Sequence, residues 1–260
     1  MSDAVFRLFD GLPRQGPGSD ACTREALRRL GALPAAPRVL DLGCGSGRAA
    51  LVLAETLRAT VIAVDIHRPF LDQLQATAEE RGLGHLIEPR CTDMAAPGVP
   101  AGSVDLLWSE GAIYFLGFED GLRLWRPLLA PGGYLAVTEC SWIAADPPAE
   151  AAAFFRDGYP GMAGIEQNIE RARAAGFEVL DHFTLPPAAW WDEYYVPLEE
   201  QIARLAPDAD PDLAAAIAET RREIELFRRC GNAYGYVFYL MRPSGQASTG
   251  GFSRGGGTAI

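Results

Sequence analysis

The sequence predicts an α/β protein: a doubly wound sheet of seven strands, mostly parallel with an antiparallel last strand, beneath a helical lid. Three observations carry this. Strand-like and helix-like segments alternate from about residue 20 to residue 140. The strand-like segments are continuous apolar runs, the pattern of strands covered by helices on both faces. A glycine-rich turn joins the first of them to the helix that follows.

In order, "ACTREALRRLGAL" reads as a helix and "RVLDLG" as the first strand. After the turn, "RAALVLAETL" is helical and "ATVIAVDI" is the second strand. Pro69 sits where a helix begins, with Leu71, Leu74 and Ala78 on its apolar face. "HLIEPRC" and "SVDLLWS" are the third and fourth strands; "FEDGLRLWRPLL" is a helix that stops at "APGG", and "GYLAVTEC" is the fifth strand. "PPAEAAAFFRDGY" and "IEQNIERARAAG" read as helices before a sixth strand, "FEVLDHFTL". In the stretch 186–230, Asp210 and Pro211 signal a helix start, and Leu213, Ile217, Thr220, Ile224 and Phe227 follow at helical spacing up to Gly231. "NAYGYVFYLM" closes the sheet. The expectation is one domain over 1–242, with an N-terminal segment 1–20 and helical elaborations at about 141–162 and 186–230 over the active site. The Gly/Ser-rich 243–260 reads as a disordered tail.

Composition excludes several classes. At a formal net charge of -11 the chain lacks a broad phosphate-binding surface, so no nucleic-acid partner is expected. Five scattered cysteines without metal-ligand spacing read as reduced thiols of a cytoplasmic protein, with no metal. No apolar run reaches the roughly 20 residues of a membrane span, and the N-terminus lacks a secretion signal. The expected partner is a small-molecule substrate; a homodimer is left open.

"VLDLGCGSGR" puts Gly43, Gly45 and Gly47 between strand and helix, where the backbone turns sharply and a ligand approaches without a Cβ in the way. The spacing is G-x-G-x-G, not the G-x-G-x-x-G of dinucleotide binders. Asp65 ends the second strand, where a carboxylate can hold ribose hydroxyls, and Asp93 in "CTDM" follows the third, where it can accept from an adenine amino group. Asp65 could instead merely cap the next helix.

"VLDLGCGSG", "VIAVDI", "CTDMAAP" and "VDLLWSEGAIYFL", in this order, resemble the class I S-adenosylmethionine-dependent methyltransferases, whose sheet is Rossmann-like. More narrowly, they resemble the small-molecule branch that includes the quinone-biosynthesis methyltransferases. "LPRQGPGS", residues 12–19, is similar to a segment of one bacterial subgroup. The resemblance implies S-adenosylmethionine as cofactor and S-adenosylhomocysteine as product. It implies that Asp41, Gly43, Cys44, Gly45 and Gly47 hold the methionine part, Asp65 the ribose with Ile66 against the adenine, and Asp93 with Met94 the base. Ser109, Glu110 and Gly111 would border cofactor and substrate. The function expected is methyl transfer to a small amine, thiol or phenolic acceptor; a non-catalytic cofactor sensor and a nucleotide-dependent oxidoreductase are the alternatives.

"VDLLWSEGAIYF" poses a question: it ends a buried strand with a carboxylate, Glu110, and such a charge needs an opposing group, expected here to be a cationic cofactor, with a polar substrate nearby. Glu110 and Glu139 both fall at the carboxyl edge of the sheet, beside the expected methyl donor. Together with Tyr114 they are the catalytic candidates, with a helix cap or pairing to Arg123 or Arg126 as the structural alternative. Tyr114, Trp142, Trp190, Trp191 and Tyr194 are candidates for lining the substrate, though aromatic residues fill cores as readily. His67 falls on the adenosine side; no histidine is placed as a general base.

Overall fold

The structure, a computed structural model, describes residues 2–245. Helices α1 (Asp3–Phe9) and α2 (Asp20–Arg29) precede β1 (Val39–Leu42), α3 (Arg48–Leu57), β2 (Val61–Asp65), α4 (Arg68–Glu80) and β3 (Ile87–Cys91). Then come β4 (Val104–Ser109), α5 (Phe118–Trp125), β5 (Leu129–Trp142), α6 (Ala149–Gly158) and the short β6 (Ala163–Gly164). The chain continues through α7 (Ile165–Ala174), β7 (Phe177–Thr184), α8 (Pro187–Trp190), a π-helical turn over Trp191–Tyr195, α9 (Val196–Leu205), α10 (Pro211–Cys230) and β8 (Tyr234–Pro243).

The strand order is β3-β2-β1-β4-β5-β8-β7, with β6 pairing to β5 off this path. Strands β1 to β5 pair in parallel. β8 inserts antiparallel between β5 and β7. The seven expected strands are therefore present, and β6 adds a two-residue eighth. Because the order reverses direction between β1 and β4, the helices leaving these strands diverge and open a crevice above their carboxyl ends.

Burial explains the continuous apolar strands. On one face Leu53 of α3 and Leu74 of α4 pack in a cluster with Trp108 of β4; on the other, Leu122 and Trp125 of α5 pack with Tyr239 of β8. A third cluster, with Leu8, Trp190, Tyr195, Leu198, Phe227 and Tyr234, welds α1 to α8, α9 and α10. The Asp210 start signal operates as read, since its Oδ1 accepts from the Leu213 amide at 2.9 Å.

Two boundaries differ from expectation. Helix α1 was not anticipated. The last strand runs through Pro243, and the Ser244 amide donates to Gly176 O at 2.8 Å, so the start of the expected tail belongs to the sheet edge. Its remainder, 246–260, lies outside the described residues. No helix among the described residues is long and apolar enough to cross a membrane.

Candidate functional site

The glycine turn is fixed to the neighbouring strand, since the Gly43 and Cys44 amides both donate to Val64 O at 2.9 Å. Gly43 and Gly45 have φ of +71° and +54°, and side chains there would collide with Ala112 Cβ and Gln15 Oε1. Positive φ favours glycine at both, and at Gly43 space requires it as well, whereas at Gly45 the atom in the way is the end of the flexible Gln15 side chain. Gly47 faces Leu74 of α4 and lets α3 pack closely against it, so its role is helix packing.

Above this turn lies a cavity of about 310 Å³. It brings together Asp41, Gly43, Cys44 and Gly45 from the first unit, Asp65 and Ile66 from the second, and Asp93 and Met94 from the third. Glu110, Gly111 and Tyr114 from the fourth complete it. Asp65 does more than face the cavity: Oδ2 accepts from the Gly45 amide and Oδ1 from the His67 amide, both at 2.9 Å. Burial pushes its pKa up, and these two amides oppose the shift. Asp93 Oδ1 accepts from the Ala95 amide at 2.8 Å, and Met94 O is held by Trp125 Nε1 at 3.0 Å. At the cavity mouth Ile66 is 59% and Phe115 50% exposed, large apolar groups left for a flat ligand to cover. His67 stacks on Phe6 at 4.1 Å and contacts Asp10 through Nε2 at 2.7 Å, closing the rim beside Ile66.

The inner end answers the question of Glu110. Its Oε1 accepts from Trp108 Nε1 at 2.9 Å and from Thr23 Oγ1 at 2.7 Å, and its Oε2 accepts from Arg14 Nη1 at 3.1 Å. The opposing cation is Arg14, not Arg123 or Arg126. Arg123 pairs with Glu119, and Arg126 donates to Gly176 O. Arg14 and Gln15, two wall residues that sequence reasoning missed, lie on the segment between α1 and α2. Gln15 Oε1 accepts from the Ser46 amide at 2.7 Å, and Ser46 Oγ donates to Pro13 O at 3.0 Å, so this segment is strapped across the glycine turn. Asp41, 1% exposed, has an Oδ2 without a partner among the described residues. Burial first, then the charges of Glu110 and Asp65, push its pKa well up.

The remaining candidates divide. Ser109 is fully buried and donates to Leu42 O at 2.8 Å, bracing β4 against β1 outside the cavity. Tyr114 lies in the wall, and its ring meets that of Tyr159 edge-on at 5.8 Å. Glu139 lies outside the wall; its Oε1 accepts from Tyr159 OH at 2.6 Å, while Oε2 has no partner among the described residues. Burial raises its pKa to about 8, against the lowering effects of Tyr159 and Arg171. Trp142, Trp190, Trp191 and Tyr194 do not line this cavity. Trp190 and Tyr194 are buried in the third cluster, with Trp142 and Trp191 packed on it; Trp190 stacks on Phe227 at 4.3 Å, and Arg228 lies over Trp191. Among the described residues no cluster of three or more His, Cys, Asp or Glu is arranged to hold a metal.

The fold has known counterparts. Residues 39–133 match a family model described as a methyltransferase domain. The 27-O-demethylrifamycin SV methyltransferase of Amycolatopsis mediterranei is 26% identical over 198 residues, covering 75% of this chain and 64% of its own. Across three curated relatives it matches, the chain spans between 36% and 64% of their length. A Geobacter sulfurreducens SAM-dependent methyltransferase, solved with S-adenosylhomocysteine, superposes with a TM-score of 0.79 at 20% identity, covering 94% of this chain and 98% of its own. The [4+2]-cyclase SpnF superposes at 0.73 with 23% identity, covering 93% of each chain. Residues 39–133 thus match the methyltransferase-domain model, and the described chain shares the Rossmann-like fold of the solved methyltransferase.

Proposed function

We propose that the protein moves a methyl group from S-adenosylmethionine to a small-molecule acceptor. One observation carries this reading: the glycine turn, Asp65 and the Asp93–Met94 pair open onto a single cavity. The donor set suits the cofactor. The lone pairs remaining on Asp65 would hold ribose hydroxyls, Ile66 and Met94 would offer apolar surface to a planar base, and Asp93 would accept from an exocyclic amine. An ammonium or sulfonium bound beside Asp41 would offset the burial and the Glu110 and Asp65 charges that push its pKa up. Bound there, S-adenosylmethionine supplies an electrophilic methyl group.

The chain's own part is alignment and exclusion of water. The strap 10–19 covers the inner end, and Tyr114 forms the wall toward Tyr159 and Glu139. The acceptor would stand on the Tyr114 side, and the proton it loses as its oxygen or nitrogen bonds the methyl carbon would pass to water, because Glu139 is buried outside the cavity wall. The 27-O-demethylrifamycin relative makes a hydroxyl-bearing acceptor the first class to test. Five free cysteines fit a reducing cytoplasmic setting.

A second reading, a cofactor-binding protein with other chemistry, is favoured by the likeness to a cyclase. Calorimetry and label transfer separate the two. The wild type should bind S-adenosylhomocysteine at roughly 1–100 μM, the range common for enzyme ligands, and Asp65→Ala should weaken binding about tenfold or more. Methyl-labelled cofactor should then label a compound in a metabolite extract. Binding without any labelled product would favour the second reading, and tight NAD binding in its place would overturn both.

A further inference from the structure

We propose that Arg14, delivered by the N-terminal strap, is the anchor for the carboxylate of the cofactor's amino-acid end, so that the strap itself recognises an intact α-amino acid. This rests on the cofactor reading above. It begins from an imbalance in the Arg14 guanidinium, which is 6% exposed and lines the cavity. Nη1 is spent on Glu110, but Nε and Nη2 have no hydrogen-bond partner among the described residues. Leaving two donors of a buried guanidinium unmet is costly.

Among the described residues no anion meets them with a hydrogen bond. Asp20 forms an ion pair with Nη2 at 3.6 Å, beyond hydrogen-bond reach, and it is already held two-pronged by Arg48 at 2.6 and 3.0 Å. Glu110 is saturated by Trp108, Thr23 and Nη1. A carboxylate is planar and accepts two parallel N–H bonds, the geometry that a guanidinium edge offers. On the same inner end, Asp41 Oδ2 is likewise without a partner. A donor edge and an acceptor oxygen, both buried in one cavity wall, complement the carboxylate and ammonium of one amino-acid group.

Glu110 then has a defined part. It is a positioning residue that fixes the orientation of Arg14, and it does not need to touch the ligand. The strap is seated by Gln15 on the Ser46 amide and by Pro13 O on Ser46 Oγ, and Arg14 lines the same cavity as Asp41.

The test is calorimetry on the full chain with two probes: S-adenosylhomocysteine, and 5′-methylthioadenosine, which lacks the amino-acid end. Arg14→Lys keeps the charge but loses the fork. Arg14→Met combined with Glu110→Gln removes the cation without stranding a buried carboxylate. In the double variant, affinity for S-adenosylhomocysteine should fall about 10- to 100-fold, the value of a charge-assisted pair, with Arg14→Lys between it and wild type. Affinity for 5′-methylthioadenosine should stay within about threefold throughout. Circular dichroism verifies that each variant folds. Equal losses for both probes, or no loss for either, overturn the proposal while leaving the cofactor reading in place. Wild-type protein that binds neither probe overturns the cofactor reading, and this proposal with it.

Discussion

Glu110 shows how a negative charge survives at the end of a buried strand. Two neutral donors and one guanidinium meet its two oxygens, and the guanidinium arrives from 96 residues away. Breaking such a pair from one side leaves an unopposed buried charge, which costs about 3–5 kcal/mol, whereas removing both sides costs far less. Urea denaturation should therefore show Arg14→Met and Glu110→Gln each destabilising the chain by about 2–4 kcal/mol, with the double variant recovering at least about 1 kcal/mol of the summed loss. Strict additivity would mean the two groups do not interact. The acid was legible in the sequence because a carboxylate after "VDLLWS" breaks an apolar run. Its partner was not, because nothing in "LPRQGPGS" says which strand end the strap crosses. Asp65 and Asp93 were legible for a different reason: each stands at a strand's carboxyl end, and topology alone carries them to one crevice.

At the scale of elements, the parallel strands were readable because their pattern is local, while α1 was not. Seven residues make a helix too short to persist alone, and its period is barely sampled. What holds α1 is tertiary: Leu8 is fully buried in the cluster with α9 and α10, the Arg7 guanidinium pairs with Asp210, and Gln201 Nε2 donates to Asp10 O at 3.0 Å. The same cluster absorbed Trp142, Trp190, Trp191 and Tyr194, expected in the substrate site, while Tyr114 lines the cavity. "AWWDEYY" lies on α8 and the π-helical turn, where its rings pack against Phe227 and Tyr234 as core. Composition alone cannot separate such a core from a pocket. Leu8→Ala should cost about 2–4 kcal/mol, as other buried leucines do. Since α1 leads directly into the strap, it should also weaken S-adenosylhomocysteine binding measured by calorimetry. Loss of stability with unchanged affinity would mean that α1 and the strap are uncoupled.

For the molecule as a whole, the carboxyl edge of the sheet gathers acids whose ionisation opposes folding, and Glu139 is the clearest. It is 2% exposed, its Oε1 is met by Tyr159 OH, and Arg171 on α7 is the cation that acts on it. Burial lifts its pKa from 4.5 to about 8, so between those values the native state holds a proton that the unfolded chain has released. Stability from this group is therefore full below about pH 4.5, declines as pH rises through the interval, and is lost above about 8. Each tenfold difference in proton affinity between the two states is worth about 1.4 kcal/mol, so the decline amounts to roughly 2–4 kcal/mol once relaxation is allowed for. Glu139→Gln keeps the shape and cannot ionise. Urea denaturation at about pH 5.5 and about pH 8.5 should show the variant losing less stability than wild type between the two, with the gap widening toward the higher pH. Parallel stability curves for the two proteins would mean that Glu139 titrates as an ordinary surface acid.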